Sequence, residues 1–406
     1  MLTLKLAWRN LFRNTRRTLL TALLIGLSLA AMMITDGVIL GMSAVLTTSM
    51  TDTLNGEAQI QRRGFSDSLD VDLVLSDSAA IEAALTQDPA IAAFAPRAMT
   101  GGMISSTYNV SSGLIFGVDA IRERKVSKIE AALIEGDYLS GNPGEILIGK
   151  SLADLLEIGL GDRVVLTMSE SGTAELVQAL FRVTGVFEFG LRELDESSVF
   201  VNLPKARELL GLGTGSHQII LRFRDPAQAT NPSLAVYRNY NTAEIEAINW
   251  MDANPSISSM LEMTGFSSFL VGAILFLLAS LGVINSMFMS IYERIYEIGV
   301  IKAIGTRPGE ILRLVLVEAG LIALMSCLLG ILVGGFGNWW FSFHGIPLGE
   351  MEISGISFAN SIRAELRWSQ FIDFPLYVVL LTLVAALYPA RFASRIVPSD
   401  ALHRSL

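Results

Sequence analysis

Four stretches of the chain stay apolar long enough to cross a hydrocarbon core, which takes roughly 20 mostly apolar helical residues. Thr18 to Thr35 is free of charge between Arg17 and Asp36. Met263 to Tyr292 is free of charge between Glu262 and Glu293. A third run starts near Ile311, carries Arg313 at its edge and Glu318 inside, and continues to about Trp340. The fourth, Phe374 to Ala390, lies between Asp373 and Arg391. The segment between the first two runs has a different rhythm. Glu57 to Arg62, Ser111 to Asp119, Arg163 to Met168, Leu180 to Phe187 and Val199 to Asn202 read as strands, with turn signals such as Gly161-Asp162 between them. Ser78 to Thr86 and Lys150 to Glu157 read as helices. Uncharged helical sequence continues past the first span and before the second, so both helices are expected to project beyond the bilayer as stalks.

The N-terminal flank interleaves Leu4, Trp8, Leu11 and Phe12 with Lys5, Arg9, Arg13, Arg16 and Arg17. A basic flank before an apolar run also fits a signal peptide, but this interleaving reads as a surface helix leading into a retained span. Lys and Arg concentrate in this flank, between spans two and three, and in the tail, which places those segments in the cytoplasm. The chain has 406 residues, 51% hydrophobic and 17% charged, with a net charge of −9. That acidic excess lies wholly in the exterior segment, and it argues against a nucleic-acid partner. One cysteine, Cys327, and three scattered histidines leave no disulfide framework and no metal-ligand spacing. No catalytic constellation stands out.

Two features raise questions of chemistry. GEILIGKS, Gly144 to Ser151, matches the literal phosphate-loop pattern. Its inner residues Glu145-Ile146-Leu147-Ile148 favour a strand rather than a loop, and the segment lies on the exterior side, so the reading is turn, strand, helix. Asp36 and Glu318 are charges within or beside spans. Asp36 is expected to be solvated near the outer interface, and Glu318 to pair with Arg313 or snorkel to the inner face. Gly37 with Gly41, and Gly330 with Gly334, have the spacing that lets helices pack closely.

The connector between spans two and three is the most informative stretch. YERIYEIGVIKAIGTRPGEI, from Tyr292, combines isoleucines near helical spacing with Glu293, Arg294, Glu297 and Lys302, and so reads as a short amphipathic helix docking in a partner's groove. Its ERIYEIGVIKAIG resembles the E-R-x-x-E-I-G-[VI]-x-[RK]-A-[IL]-G signature of FtsX-like, MacB-type ABC transporter permeases. WRNLFRNTRRT (8–18), LIEGDYL (133–139), the segments 144–166 and 181–203, and YPARFASRIVPSDALH (388–403) resemble further parts of these permeases in the same order. The exterior segment is most similar to the lipoprotein-releasing (Lol-type) branch, and the connector to the MacB branch.

The resemblance implies a MacB-type mechanotransmission permease fold: four transmembrane helices (1 + 3) with a large mixed α/β periplasmic domain between spans one and two. The expected organisation is a cytoplasmic amphipathic helix (1–17), span one with its stalk (18–43) and the periplasmic domain (44–262). Span two (263–292), a coupling helix (293–307), span three (308–340), a periplasmic loop (341–370), span four (371–390) and a cytoplasmic tail (391–406) follow. The implied function is that of a non-catalytic permease in the bacterial inner membrane, extracting lipoproteins or other lipidic substrates. MacB-like export and FtsX-like regulation of cell-wall hydrolases are the alternatives. The implied partners are a cytoplasmic ABC ATPase dimer, which carries the ATP and Mg, a second permease protomer, identical or not, and a periplasmic carrier or adaptor. The chain itself is expected to bind no cofactor. Glu293, Arg294, Glu297, Ile298, Gly299, Lys302, Ala303 and Gly305 are the residues expected to couple to the ATPase. Met32, Met33, Val38, Phe266, Phe269 and Leu270 are expected to line the substrate path, because methionine and aromatic side chains adapt to acyl chains.

Overall fold

A computed structural model describes residues 2–173, 175–346, 352–353, 356–357 and 362–398. The chain divides into two compact units. One comprises Met1–Ser43, Leu261–Pro347 and Ser361–Leu406, and the other Ala44–Met260 with Leu348–Asn360. Residues 347–351, 354–355 and 358–361 of the expected periplasmic loop 341–370, and 399–406 of the tail, fall outside the described residues.

Six helices of the described residues lie wholly or mainly in the first unit, where α1 (Leu2–Arg13) is followed by α2 (Thr15–Met50). The others are α11 (Pro255–Glu293), α12 (Ile295–Ala303), α13 (Pro308–His344) and α14 (Gln370–Arg395). Among the described residues, four helices are long and apolar enough to cross a membrane. At 1.5 Å per residue, the 36 residues of α2 and the 39 of α11 extend about 54 and 59 Å, well beyond a core of roughly 30 Å. α11 begins eight residues before the charge-free run and α14 extends five residues past its own. Propensity and packing carry a helix past its apolar stretch. Pro255 and Pro308 each open a helix at a position where the missing N–H costs nothing. Gly305, at φ +109°, supplies the left-handed turn between α12 and α13.

Glycines set the spacing of α2 against α13. A Cβ on Gly26 would lie 3.0 Å from the Ser326 carbonyl oxygen, and one on Gly334 would lie 3.0 Å from Ala30 Cα. Of the glycine pairs read from the sequence, Gly330 and Gly334 both serve close packing of α13 on α2, whereas Gly37 faces the Asn338 side chain of α13 and Gly41 faces the Arg363 backbone outside the helices. Around this crossing, Ile25, Leu29, Met33, Ala279, Val283, Val315, Ala319, Ile322 and Ala386 form the apolar centre of the unit.

The second unit is built on a ten-stranded mixed sheet. Its strands are β1 (Ala58–Arg62), β2 (Ile91–Ser105), β3 (Val110–Val118), β4 (Leu133–Gly136), β5 (Glu145–Gly149), β6 (Arg163–Ser169), β7 (Leu176–Phe187), β8 (Ser198–Asn202), β9 (Gln218–Phe223) and β10 (Ile245–Asn249). The order is β10-β1-β9-β2-β3-β8-β5-β7-β4, with β6 paired to both β2 and β7. Eight short helices accompany it: α3 (Phe65–Ser68), α4 (Ser78–Gln87), α5 (Ala120–Glu123), α6 (Lys150–Leu156), α7 (Arg192–Ser197), α8 (Leu203–Leu210), α9 (Ala235–Tyr240) and α10 (Trp250–Ala253). Every strand and helix read from the sequence in this unit is present, to within a few residues. β5 and β8 are buried along nearly their whole length, as strands covered on both faces must be. Ile146, Ile148, Val199 and Val201 face α6 and α8. Leu147 and Phe200 join Phe116 and Phe187 in an aromatic cluster on the other face.

GEILIGKS is strand β5 followed directly by α6, with Gly149 as the N-cap. Gly149 is a glycine because the Asp195 backbone crosses beside it: an added Cβ would lie 2.3 Å from the Asp195 carbonyl oxygen. Lys150 pairs with Asp154 on its own helix rather than reaching out of it. Gly149→Ala should therefore destabilise this unit by about 1–3 kcal/mol, the usual scale of overpacking. An unchanged denaturant midpoint for this variant would refute the close approach.

Candidate functional site

α1 keeps an amphipathic helix's division of labour. Ala7 and Leu11 are buried, whereas Trp8 and Phe12 are exposed with their rings 5.1 Å apart. The turn into α2 is held by the Thr18 hydroxyl, which donates to the Leu11 carbonyl at 3.0 Å. This joint aims the basic flank at the connector. Arg13 meets Glu297 at 2.5 Å, Arg17 meets Glu293 at 2.6 Å, and the Asn14 amide donates to Glu293 at 3.3 Å. Arg294 continues the network inward, to Glu297 at 3.3 Å and to Glu318 of α13 at 3.4 Å. At the other end of α12, Lys302 Nζ donates to the carbonyl oxygens of Ser394 and Ile396, at 2.9 and 2.5 Å, closing the end of α14. The connector is thus tied through its own charges to four other helices, α1, α2, α13 and α14.

This inverts part of the sequence reading. The charges of α12 turn toward the bundle, while Tyr296, Ile301, Ala303, Ile304 and Gly305 are exposed. Ile304, at 82% exposure, is the outermost apolar side chain of the connector. Ile298 and Gly299 are buried against the bundle. Glu318 pairs with Arg294 and not with Arg313, which makes no ion pair among the described residues. A residue five positions away lies off the i, i+4 row of a helix, whereas the end of α11 brings Arg294 alongside. An apolar recess of about 530 Å³ lies behind α12, with Leu6, Ile291, Ile301, Ile311 and Val315 on its walls and Arg294 and Glu318 within it.

Electrostatics support the network's persistence. Burial alone would raise the Glu297 carboxyl. Hydrogen bonds from Arg13 and Arg294, with their charges, outweigh it and hold the group below the ordinary glutamate value. A carboxyl lowered in this way contributes its stabilisation above the ordinary value, and loses it as the pH falls through the lower folded-state value.

The residues expected to line a substrate path separate into three groups. Met32 and Phe269 border a cavity of about 330 Å³ between α2 and α11, shared with Asp36, Ile39, Leu40, Leu275 and Phe374. Phe266 and Leu270 are exposed on α11 without bordering it, and Val38 is half-buried. Met33 faces the other way. It is fully buried against Gly334, one position round the helix from the cavity wall. Asp36 is not simply solvated: the Gln370 amide donates to its Oδ2 at 2.7 Å.

Residues 18–231, more than half of the chain, match the MacB-like periplasmic core domain family, and residues 269–398 match the FtsX-like permease C-terminal family. The chain belongs to the MacB-like permease family. This permease is a multi-pass membrane protein with a periplasmic mixed α/β domain, and it is the permease subunit of an ABC transporter. It is 26% identical to the lipoprotein-releasing system transmembrane protein LolC of Xylella fastidiosa over 339 residues, 80% of each chain. It is 22% identical to the lipoprotein-releasing system transmembrane protein LolE of Haemophilus influenzae, over 79% of this chain and 80% of the relative. The macrolide export ATP-binding/permease protein MacB 2 of Aeromonas hydrophila is 28% identical over 79% of this chain and 48% of its own length.

What the connector motif did not reveal is which residues hold it. Arg13 and Arg17 stand four apart, and so do Glu293 and Glu297. Two pairs of equal spacing and opposite charge were the available signal, each pair straddling a helix junction, at Asn14 and at Arg294.

Proposed function

We propose that this permease couples ATP hydrolysis in the cytoplasm to extraction of lipoproteins or related lipidated substrates from the outer leaflet of the bacterial inner membrane. A separate ABC ATPase dimer holds the ATP and Mg, and this chain binds no cofactor. Two permease protomers form the membrane unit, and a periplasmic carrier or adaptor receives the substrate.

The observation that carries the reading is the connector: an exposed apolar strip, Tyr296, Ile301 and Ile304, on a short helix whose charges bind it to the N-terminal helix, span three and span four. A push on that strip moves several spans together. The likeness to the Lol-type relatives supports a lipidated substrate, and the cavity between α2 and α11 supplies an apolar wall for it.

The test is co-purification from native membranes followed by a release assay. The wild-type chain should retain an ABC ATPase subunit, and Ile304→Lys should lose it, because an ammonium cannot be desolvated in an apolar groove. Depletion of the chain should strand lipoproteins in the inner membrane. Absence of the ATPase from wild-type preparations, or normal lipoprotein sorting in depleted cells, would overturn the proposal.

A further inference from the structure

The cavity between α2 and α11 has one feature that acyl chains do not require. Its wall is apolar except for Asp36 and a few small polar groups, and it contains no lysine or arginine. Among the described residues no cation pairs with Asp36, and only its Oδ2 is hydrogen-bonded. That oxygen is held by a relay of two buried polar side chains across the spans. Gln370, 2% exposed, donates to it. Asn338, 0% exposed, donates to the Met33 carbonyl at 2.9 Å and to Gln370 Oε1 at 3.3 Å. Gly37 leaves room for that amide, since a Cβ there would lie 2.4 Å from Asn338 Oδ1. Polar groups buried in a membrane bundle are costly, and here they fix one carboxylate at the edge of an apolar cavity.

Depth matters as well. Nineteen residues separate Asp36 from Arg17, so the carboxylate stands about 29 Å along the helix from the basic end of the span, at the outer boundary of a core of roughly 30 Å. A lipidated N-terminus in the outer leaflet keeps its amino group at that boundary and its acyl chains below it.

We infer that Asp36 is a specificity-determining residue that selects a diacylated lipopeptide with a free, protonated α-amino group. This rests on the lipidated-substrate reading above and deepens it. Charge complementarity chooses the occupant. An ammonium completes the half-paired carboxylate, and a neutral N-acyl amide leaves its charge uncompensated. A zwitterionic phospholipid also brings an ammonium, but its phosphate would enter a cavity with no cation to receive it.

The test uses the full-length chain in phosphatidylglycerol nanodiscs and a fluorescent diacylglyceryl-cysteine peptide, with its amine free or N-acetylated. The acyl chains are the same in both probes. The wild type should bind the free-amine form at least about tenfold more tightly, the scale of one charge-assisted hydrogen bond. Asp36→Asn should bind both probes at the weaker affinity, and Asp36→Glu should keep the preference. Phosphatidylethanolamine should compete no better than phosphatidylglycerol. Equal binding of the two probes by the wild type overturns the inference alone, as does a preference retained by Asp36→Asn or efficient competition by phosphatidylethanolamine. Failure of the wild type to bind either probe overturns the lipidated-substrate reading together with it. Should Asp36→Asn not fold, the wild-type comparison and the competition still decide.

Discussion

Arg97→Leu should be among the most destabilising single substitutions in the periplasmic domain, at about 3–5 kcal/mol, the cost of breaking a buried ion pair. Arg97, on β2, is 1% exposed, and Glu123, at the end of α5, is 0% exposed. The guanidinium donates through Nε to Glu123 at 3.1 Å, through a second nitrogen to the other carboxylate oxygen, and through the third to the Leu54 carbonyl. Leucine would fill much of the space but leave a carboxylate and a carbonyl buried without partners. Domains are stable by only about 5–15 kcal/mol, so the loss is a large fraction of the whole. For a unit of this size the melting temperature should fall by about 6–20 °C. Arg97→Leu/Glu123→Leu should recover most of that loss, because the stranded charge is removed along with its partner. Thermal unfolding of the purified chain, followed by protease susceptibility of the periplasmic domain, measures both. A single variant that melts with the wild type would show that the pair is not what holds β2 to α5.

Arg294→Leu should produce the largest functional effect in the connector. Among the described residues, Arg294 is the one cation that pairs with both Glu297 and the buried Glu318. Its removal leaves Glu318, 6% exposed on α13, without an ion-pair partner and unties α12 from span three. The exposed strip of α12 is untouched, so the ATPase should still co-purify. ATP turnover should then proceed with at least a tenfold loss of lipoprotein release, since a missing buried partner is worth several kcal/mol. Arg294→Leu/Glu318→Leu should restore thermal stability but not release, because the mechanical tie is still absent. Paired measurements of ATP hydrolysis and release in proteoliposomes separate the two effects. Wild-type release by the single variant would place the transmission elsewhere.

The ease with which different parts of the fold could be read has physical causes. The spans were legible because nothing but a membrane or a large core tolerates thirty uncharged residues such as Met263 to Tyr292. Strands with β-branched runs, such as β5 and β8, declared themselves locally. β2 did not: IAAFAPRAMTGGMIS contains alanines, Pro96 and two adjacent glycines, all poor strand formers. It is a strand because β9, β3 and β6 supply its hydrogen-bonding partners, and partner strands are not written in a local window. The connector's identity was legible and its orientation was not. A nine-residue helix with apolar and charged positions can present either set outward, and the choice was made by Arg13 and Arg17, some 280 residues earlier in the chain. The polar chain from Asp36 through Gln370 to Asn338 was hidden for the same reason: Asp36 stood out as a charge, but Gln370 and Asn338, which hold it, look unremarkable in the sequence.

The grip of Lys302 on span four has a consequence for how this chain can vary. Both acceptors are main-chain carbonyls, at positions 394 and 396, so any side chain at those positions offers the same oxygens. Substitution there is therefore cheap. Insertion or deletion is not: one residue removed from α14 turns its last helical turn by about 100° and slides it by about 1.5 Å. Both carbonyls would then leave the reach of the ammonium together. At this end of the connector it is residue count, more than residue identity, that the rest of the bundle holds fixed.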